Sequence, residues 1–371
     1  MTTWRETAVG IGSILAAAGL AMGAAWGMTS PTGVATAAAP VNSAPPDRRA
    51  ATAATPGALT WKISTSFLHS QISHFTAISC PSVTTCYAVG PGPYGGYVTT
   101  DAGNTWSALA QQPSVDGSYT IACPSVTVCY TGWGVTTDSG RTWRGWNGIP
   151  PVGSGGGPSG GPISCPSTTT CYMVNASGIY VTTDSGTTWH LGAMPSGAEG
   201  WQYAIACPST TACYAIGYDS SYKADILATT DSGQSWTFQT RPPDLLQFTA
   251  ISCPSVTMCS VVGTDFSPPG TEMAIAVTTG DSGTTWTTHR LATLYGGPTG
   301  ISCPSITTCY TSVAGAGVVY TNDTWATWHR QEEPSGFRGL ASVACPASSS
   351  CYAVGVAGRP RFGWILKGTL P

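Results

Sequence analysis

A phrase with two cysteines six residues apart recurs seven times along the chain and constrains the fold more than any other feature. The first copy is ISCPSVTTCYAVG, residues 78–90, and the last is VACPASSSCYAV, residues 343–354. Seven versions of one unit indicate a repeat protein rather than two or three unrelated domains. The copies use every cysteine of the chain: Cys80/Cys86, Cys123/Cys129, Cys165/Cys171, Cys207/Cys213, Cys253/Cys259, Cys303/Cys309 and Cys345/Cys351.

Each cysteine pair is predicted to form a disulfide across the base of a β-hairpin. The residues before and after each loop are short β-prone runs, and Pro-Ser opens a turn between them. A closed zinc site needs four ligands, and the five histidines lie off the repeat, so we expect no metal and no cofactor. A reactive thiol needs a cationic or helix N-terminal setting that the phrase does not provide.

A second phrase follows in most units and is typical of a tight turn between two strands. The Asp side chain can accept backbone N–H bonds, Gly supplies a positive φ, and Trp covers the turn with apolar area. In TNDTWATW (321–328), a degenerate sixth copy, Trp325 replaces the Gly, so we expect a different backbone there. The regular copies are TTDAGNTW (99–106), TTDSGRTW (136–143), TTDSGTTW (182–189), TTDSGQSW (229–236) and TTGDSGTTW (278–286).

The repeat length predicts an all-β, seven-bladed β-propeller with four antiparallel strands, A to D, in each blade. The first cysteines of successive units lie 42 to 50 residues apart, which is the length of such a blade. In every blade, strand A is predicted to end at the first cysteine and strand B to start at the second. The last unit lacks a fourth strand, whereas ALTWKIST (58–65) is an orphan strand. We therefore predict that residues 59–64 supply strand D of the last blade, and that residues 59–371 form the propeller.

The Thr-Trp turn phrases resemble the Asp-box repeat, also called the bacterial neuraminidase repeat. This resemblance covers about residues 59–371 and implies a β-propeller of the kind found in sialidases, xyloglucanase-like glycosidases, sortilin-type receptors and photosystem II assembly factors. The box is a folding device in that family, so the resemblance implies structural rather than catalytic roles for its acidic residues. These are Asp101, Asp138, Asp184, Asp231 and Asp281.

The N-terminal segment predicts export. Residues 8–28 form an apolar run long enough to enter a membrane, and ATA at 35–37 offers a signal-peptidase site. Residues 1–37 are therefore interpreted as a signal peptide, with an uncleaved membrane anchor at 8–28 as the alternative. Residues 38–58 are a Pro/Ala/Thr-rich linker that cannot bury a core.

Candidate ligand contacts lie in the B–C and D–A loops, where nearly all the length variation falls. A net charge of −3 gives no basic field for nucleic acid. We interpret the chain as a monomeric, non-catalytic binding module for a glycan or a protein. Nine aromatic residues fall in these loops, and the preferred contacts Trp146, Trp201, Tyr218 and Tyr222 are joined there by Tyr94, Trp133, Tyr203, Phe266 and Tyr295.

The alternative function is glycoside hydrolysis of the sialidase-like or xyloglucanase-like type. Such a site needs two suitably spaced carboxylates, or a cluster of three arginines in a sialidase. The arginine motif of sialidases is absent. The candidate acids are Asp219, Asp225, Asp265 and Glu272, all in the B–C loops of blades 4 and 5.

Overall fold

A computed structural model describes most of the predicted propeller. The predicted signal segment and residues 38–57 of the predicted linker lie outside the described residues. All the regular secondary structure in the described residues is β-strand. The described residues are 58–67, 72, 74–91, 95–110, 120–146, 161–175, 177–198, 202–219, 223–240, 246–267, 272–295, 297–313, 317–334, 337–357 and 362–371.

The strands form seven four-stranded antiparallel sheets, the blades. Blades 1 to 6 use consecutive strands in the order A, B, C and D, and blade 7 takes its strand D from the other end of the chain. In chain order the strands are β1 (Thr60–Phe67); β2 (Ala77–Ser79), β3 (Cys86–Val89), β4 (Gly96–Thr99), β5 (Ser107–Ala108); β6 (Ile121–Ala122), β7 (Cys129–Thr131), β8 (Gly134–Thr136), β9 (Arg144–Gly145); β10 (Ile163–Ser164), β11 (Cys171–Asn175), β12 (Gly178–Thr182), β13 (His190–Leu191); β14 (Gln202–Ala206), β15 (Cys213–Tyr218), β16 (Ala224–Thr229), β17 (Thr237–Phe238); β18 (Leu246–Ser252), β19 (Cys259–Asp265), β20 (Met273–Thr279), β21 (Thr287–Tyr295); β22 (Pro298–Ser302), β23 (Cys309–Val313), β24 (Gly317–Thr321), β25 (His329–Arg330); β26 (Phe337–Ala347), β27 (Ser350–Ala357) and β28 (Phe362–Thr369).

The seven-bladed propeller and its closure by the N-terminal strand are confirmed. Strand β1 pairs with β28 from Thr60↔Thr369 to Phe67↔Gly363, so that blade 7 has the order β26, β27, β28, β1. The A strands of successive blades are neighbours, and β2 of blade 1 also neighbours β26 of blade 7. The A strands therefore form a closed ring around the propeller axis, and closure removes the exposed edges of an open array.

The core lies between neighbouring blades. One cluster joins Ile216 and Ile226 of blade 4 to Phe248, Val261 and Ile275 of blade 5, and comparable clusters lie between other pairs of neighbouring blades. Because the middle strands are covered on both faces, β19 is buried along its whole length instead of alternating between buried and exposed residues. This explains the nearly continuous apolar runs after each second cysteine.

One disulfide per blade is confirmed. Each bridge joins the two cysteines of one phrase across the A–B connection, with Cα atoms 4.0–4.1 Å apart. Inside the loop a serine side chain satisfies the backbone: in blade 1 the Ser82 Oγ accepts the N–H of Thr85 at 3.0 Å. The loop is thus fixed both by a covalent bond and by a local hydrogen bond. The bridges are Cys80–Cys86, Cys123–Cys129, Cys165–Cys171, Cys207–Cys213, Cys253–Cys259, Cys303–Cys309 and Cys345–Cys351.

The predicted start of strand B at the second cysteine holds in blades 1 to 6, but the predicted end of strand A at the first cysteine was one residue too late there, and the prediction that strand B of blade 7 starts at Cys351 was wrong. In the first six blades strand B begins at the second cysteine, and strand A ends one residue before the first. In blade 7, β26 continues through Cys345 to Ala347 and β27 begins one residue before Cys351, at Ser350.

The sequence of the blade 7 loop accounts for this difference. Ala347 stands where blade 1 has Ser82, so no hydroxyl at that position can accept a backbone N–H from within the loop. Ala347 instead pairs with Ser350 in the ladder between β26 and β27. The Cys345–Cys351 disulfide is present as predicted, but it lies within the paired part of the hairpin instead of at the end of the ladder.

The C–D turns, called Asp turns below, share one hydrogen-bond pattern. In blade 2 the Asp138 carboxylate accepts the Thr142 N–H at 2.9 Å and the Thr142 hydroxyl at 2.6 Å. Gly140, at φ 80°, donates its N–H to the Thr136 hydroxyl. The N–H of Ser139 bonds the Thr127 carbonyl of the disulfide loop at 3.0 Å. The two kinds of turn therefore brace each other within a blade.

The prediction of a different backbone in the sixth turn was wrong. Trp325 adopts φ 66° at the glycine position, and its N–H donates to the Thr321 hydroxyl at 2.9 Å. The Asp323 carboxylate accepts the Thr327 N–H at 2.8 Å, as in the regular turns. The backbone is the same, although a bulky residue takes a left-handed conformation that ordinarily favours glycine. Burial of the indole, which is 2% exposed, offsets that cost.

Candidate binding surface

The two ends of the blades differ in what their connections contain. The staple face carries the A–B disulfide loops and the Asp turns, and the loop face carries the B–C and D–A connections. Antiparallel order in every blade places all connections of one kind at the same end. The loop face therefore holds the connections that vary in length, as the sequence predicted.

A pair of tyrosines occupies the loop face of blade 4. Tyr203 lies in strand A and Tyr218 ends strand B, and their ring centroids are 5.1 Å apart with planes at 83°. This edge-to-face arrangement is a favourable one for aromatic rings. The Tyr203 side chain is nevertheless 43% exposed. The pair is thus fixed by its internal contact while one ring remains open to solvent.

A bulge in strand A explains why Tyr203 projects outward. The register with strand B shifts between Gln202 and Ala204, which leaves Tyr203 without a partner in the ladder. The shift recurs four residues before the first cysteine in blades 5, 6 and 7. In blade 2 the residue at this position, Tyr119, lies outside the described residues. In the other five blades it is small: Thr76, Gly161, Thr249, Thr299 and Ala341.

At least one of those small residues serves the scaffold, whereas Tyr203 differs from all five in size. In blade 6 the Thr299 hydroxyl donates to the Leu340 carbonyl of the next blade at 2.7 Å. A phenol ring at the same register position is not required by the repeat. Sequence reasoning placed Tyr203 in a variable loop but did not prefer it, because the bulge becomes visible only once the register of strands A and B is known.

The environment of the pair keeps both phenol groups in their neutral, protonated form. Burial raises the pKa of Tyr203 above its ordinary value of 10.0. Burial also raises the pKa of Tyr218, with a further contribution from Tyr203, and a hydrogen bond with Gln247 acts in the opposite direction. Gln247 is an exposed residue of blade 5. Both phenols therefore stay protonated near neutral pH, and the surface spans two blades.

Trp146, another predicted contact, lies away from the tyrosine pair and packs against other aromatic rings. Trp146 stacks on Tyr130 at 5.8 Å and meets Trp189 edge-to-face at 5.3 Å. A Cβ on Gly186, in the Asp turn of blade 3, would lie only 2.2 Å from its ring. The Trp146 ring thus packs between blades 2 and 3, beside an Asp turn.

Of the remaining aromatic candidates, Phe266 is 40% exposed and Trp133 is buried. Two predicted contacts, Trp201 and Tyr222, lie outside the described residues, as does Tyr94, and the Tyr295 side chain is not described. Within the described part of the chain, Tyr218, which is half-buried, is therefore the preferred contact that lies against an exposed aromatic ring, that of Tyr203.

Two of the candidate acids are buried structural groups. Asp265 is fully buried and accepts bonds from the Ser267 N–H at 2.8 Å and from Arg290 Nε at 3.0 Å. Burial raises the pKa of Asp265, but these bonds outweigh it and hold the pKa below its ordinary value. Asp225, 1% exposed, lies 3.4 Å from the Gln202 side-chain nitrogen.

The other two candidate acids, Asp219 and Glu272, are not buried. Asp219 accepts the Lys223 N–H within its own loop at 3.0 Å, and Glu272 is exposed.

Over the described ranges, no three His, Cys, Asp or Glu residues are grouped as a metal site would require. All fourteen cysteines are in disulfides. The described residues also include no helix that is long and apolar enough to cross a membrane.

Comparisons with known proteins identify shared architecture. No family model matches the chain, and no curated protein is significantly similar to it in sequence. Among solved structures, YCF48 bound to a D1 peptide aligns with TM-score 0.59 and 15% identity over 84% of this chain and 97% of that chain. A streptogramin B lyase aligns with TM-score 0.62 and 12% identity over 85% of this chain and 98% of that chain.

An enzyme of glycoside hydrolase family 74 from Niastella koreensis aligns with TM-score 0.59 and 16% identity. The alignment covers 80% of this chain and 52% of that protein, so this chain spans about half of its length. These structures include a peptide-binding protein and enzymes of two kinds on one fold. At such low identity the similarity shows the fold alone, and one fold can carry many different functions.

Proposed function

We propose that this protein is an exported, non-catalytic binding module that recognises a glycan or protein partner through its loop face. The observation that carries the proposal is the Tyr203–Tyr218 pair, an exposed and internally fixed aromatic surface built on a position where five other blades have small residues. Tyrosine gives a large amphipathic contact area at low entropic cost, which suits both sugar rings and peptide side chains.

Three further residues belong to the proposed surface. Gln247 supplies an exposed amide beside Tyr218, and Trp201 and Tyr222 lie close to the pair in the chain. A polar amide beside aromatic rings can fix the orientation of a ligand that the rings hold by contact area. A peptide partner is consistent with the solved YCF48 complex, in which a propeller of this kind binds a peptide.

Export is the second component of the proposal. Seven disulfides are typical of proteins from oxidising compartments. The apolar segment at residues 8–28 supplies a route out of the cytoplasm, either as part of a cleaved signal peptide or as an anchor. The propeller then acts outside the cytoplasm, and we expect it to act as a monomer.

Binding measurements on tyrosine variants test the proposal. The wild-type protein is first applied to a glycan array and a peptide array to find a ligand. Tyr203→Ala and Tyr218→Ala are each expected to weaken binding of that ligand by about 1 kcal/mol or more, because an anchor ring is lost. Tyr203→Phe, which keeps the ring, should retain most of the affinity. Gln234→Ala on the staple face is the matched control.

Glycoside hydrolysis remains the alternative, and the same proteins decide between the two. Asp225 and Asp265 are buried and bonded to neighbours, so they give hydrolysis little support. If the alanine variants bind as wild type does while Asp225→Asn or Glu272→Gln abolishes turnover of a glycoside, the binding-module proposal is wrong. Weaker binding in the tyrosine variants without any turnover would support it.

A further inference from the structure

The staple face presents an arc of exposed aliphatic side chains across five consecutive blades. Four of them are the third residue after the first cysteine, at the tip of the disulfide loop, and the fifth is the residue after β28. They are Val256 (44% exposed), Ile306 (57%), Leu370 (47%), Val83 (49%) and Val126 (44%), in blades 5, 6, 7, 1 and 2 respectively. We call these five residues the aliphatic arc.

Leu370 completes the arc where the tip residue of blade 7 is polar. Blade 7 has Ser348 at its tip, and its strand D is β1, from the other end of the propeller sequence. The N–H of Leu370 bonds the Ser349 carbonyl at 3.3 Å, the same loop position that Asp turns bond in the other blades. Leu370 therefore lies beside the blade 7 tip, and no blade interrupts the arc.

At two residues of the arc, Val126 and Val256, a neighbouring blade bonds the backbone carbonyl of the tip. In blade 2 the Val126 carbonyl accepts the Tyr87 hydroxyl of blade 1 at 2.6 Å, and Val256 accepts that of Tyr214 in the same way. Blades 3 and 4 keep this bond with exposed threonines, Thr168 and Thr210, at their tips. Single exposed apolar residues are common and need no explanation, but an exposed aliphatic residue on the same face of five consecutive blades is a repeated feature of the kind that marks interaction sites.

Ionised carboxylates flank the arc. In blade 1 the Thr84 carbonyl, next to Val83, accepts the N–H of Ala102, next to Asp101, at 2.9 Å. The tip and the Asp turn are therefore adjacent, and blades 2, 5 and 6 repeat this bond. Hydrogen bonds from Thr105 lower the pKa of Asp101 to about 2. The disulfide loops and Asp turns of these four blades carry four carboxylates and one cation, Arg141. Lys367 of blade 7 donates to the Ala102 carbonyl at 2.7 Å.

We propose that the aliphatic arc docks a short cationic segment of a partner protein, with aliphatic side chains between Lys or Arg residues. The carboxylates of blades 5, 6, 1 and 2 complement such charges and oppose an anionic lipid surface. Five half-exposed side chains are also too few for the roughly 800 Å² per partner that a stable dimer requires. A second copy would moreover place the same carboxylates opposite one another.

Fluorescence anisotropy with defined peptides tests the arc. The probe is a labelled peptide of alternating Leu and Lys, compared with the same peptide carrying Glu for Lys or Ser for Leu. The full-length protein is compared with a variant that combines Val83→Thr, Val126→Thr, Val256→Thr, Ile306→Thr and Leu370→Thr. Threonine stands natively at two tips, so the variant should fold, and circular dichroism checks this.

The combined variant is expected to bind the Leu/Lys probe at least tenfold more weakly, and both altered peptides should bind wild type poorly. Thr168→Val with Thr210→Val should tighten binding, because it extends the arc. Leu191→Thr, which alters an exposed aliphatic residue off the arc, is the matched control and should change nothing. Equal binding by the combined variant or by the Glu peptide would overturn the proposal. So would a wild-type dimer in sedimentation that the combined variant lacks.

Discussion

Ser260 and Trp325 form a compensating pair of irregular residues. In six blades a tyrosine follows the second cysteine, but blade 5 has Ser260 there. In three blades this tyrosine lies against the glycine in the Asp turn of the next blade around the ring: a Cβ on Gly233 would be 2.8 Å from Tyr172. The Asp turn of the blade after Ser260's own, blade 6, has Trp325 instead of glycine. Cys309 contacts the Ser260 hydroxyl at 3.6 Å and shares a core cluster with Trp325, so we infer that the indole fills the space that a tyrosine takes in the other blades.

A double-mutant cycle tests this compensation. The cavity that Trp325→Gly opens should lower the free energy of unfolding by about 3 kcal/mol. Release of the positive φ should return about 1 kcal/mol of that loss. Ser260→Tyr alone should cost about 1–3 kcal/mol through overpacking against the indole. The double variant restores the regular pair and should regain most of the stability. Chemical denaturation of the four proteins measures the coupling, and additive losses would show that the two sites are independent.

The Asp turn is the element whose chemistry the sequence made most predictable. Its contacts are local, so Asp184 meets Thr182 and Thr188 whatever surrounds the blade. The disulfide pairs were predictable for the same reason. The prediction for the Trp325 turn was wrong because the indole packs in a cluster with Val262 and Leu291 of the neighbouring blade, which local sequence does not reveal. The contacts of Trp146 likewise depend on a neighbouring blade, and side-chain direction between blades cannot be deduced from spacing.

Acid should weaken the Asp turns in a defined range. The Thr188 hydroxyl and N–H lower the pKa of Asp184 from 3.8 to about 2. A folded-state pKa below the unfolded value stabilises the fold above the unfolded pKa, and this contribution is lost as pH falls through the folded value. Stability should therefore decline between about pH 4 and pH 2. Carboxyl NMR titration checks the cause: Thr188→Val should raise the pKa of Asp184 and leave that of Asp138 unchanged.

At the scale of the whole molecule, strand β1 determines whether the ring is closed. Leu59 and Trp61 are buried against blades 6 and 7, and the Trp61 indole N–H donates to the Gln331 side-chain oxygen of blade 6. Phe67 contacts Tyr97 of blade 1 with ring centroids 3.9 Å apart. One short segment at the start of the propeller thus contacts three blades, which the orphan strand ALTWKIST could suggest but not demonstrate.

Two truncated chains measure what this closure contributes. A chain that starts at residue 57 keeps all of β1, whereas one that starts at residue 67 exposes the edge of β28 and the apolar surface that Leu59 and Trp61 cover. The second should lose about 3–6 kcal/mol relative to the first, since burial of each large apolar side chain contributes about 1.5–3 kcal/mol. Trp61→Ala in the longer chain should account for a large share of that loss. Denaturation midpoints of the three proteins check the prediction, and equal midpoints for the two truncations would mean that β1 pairs with blade 7 without stabilising the ring.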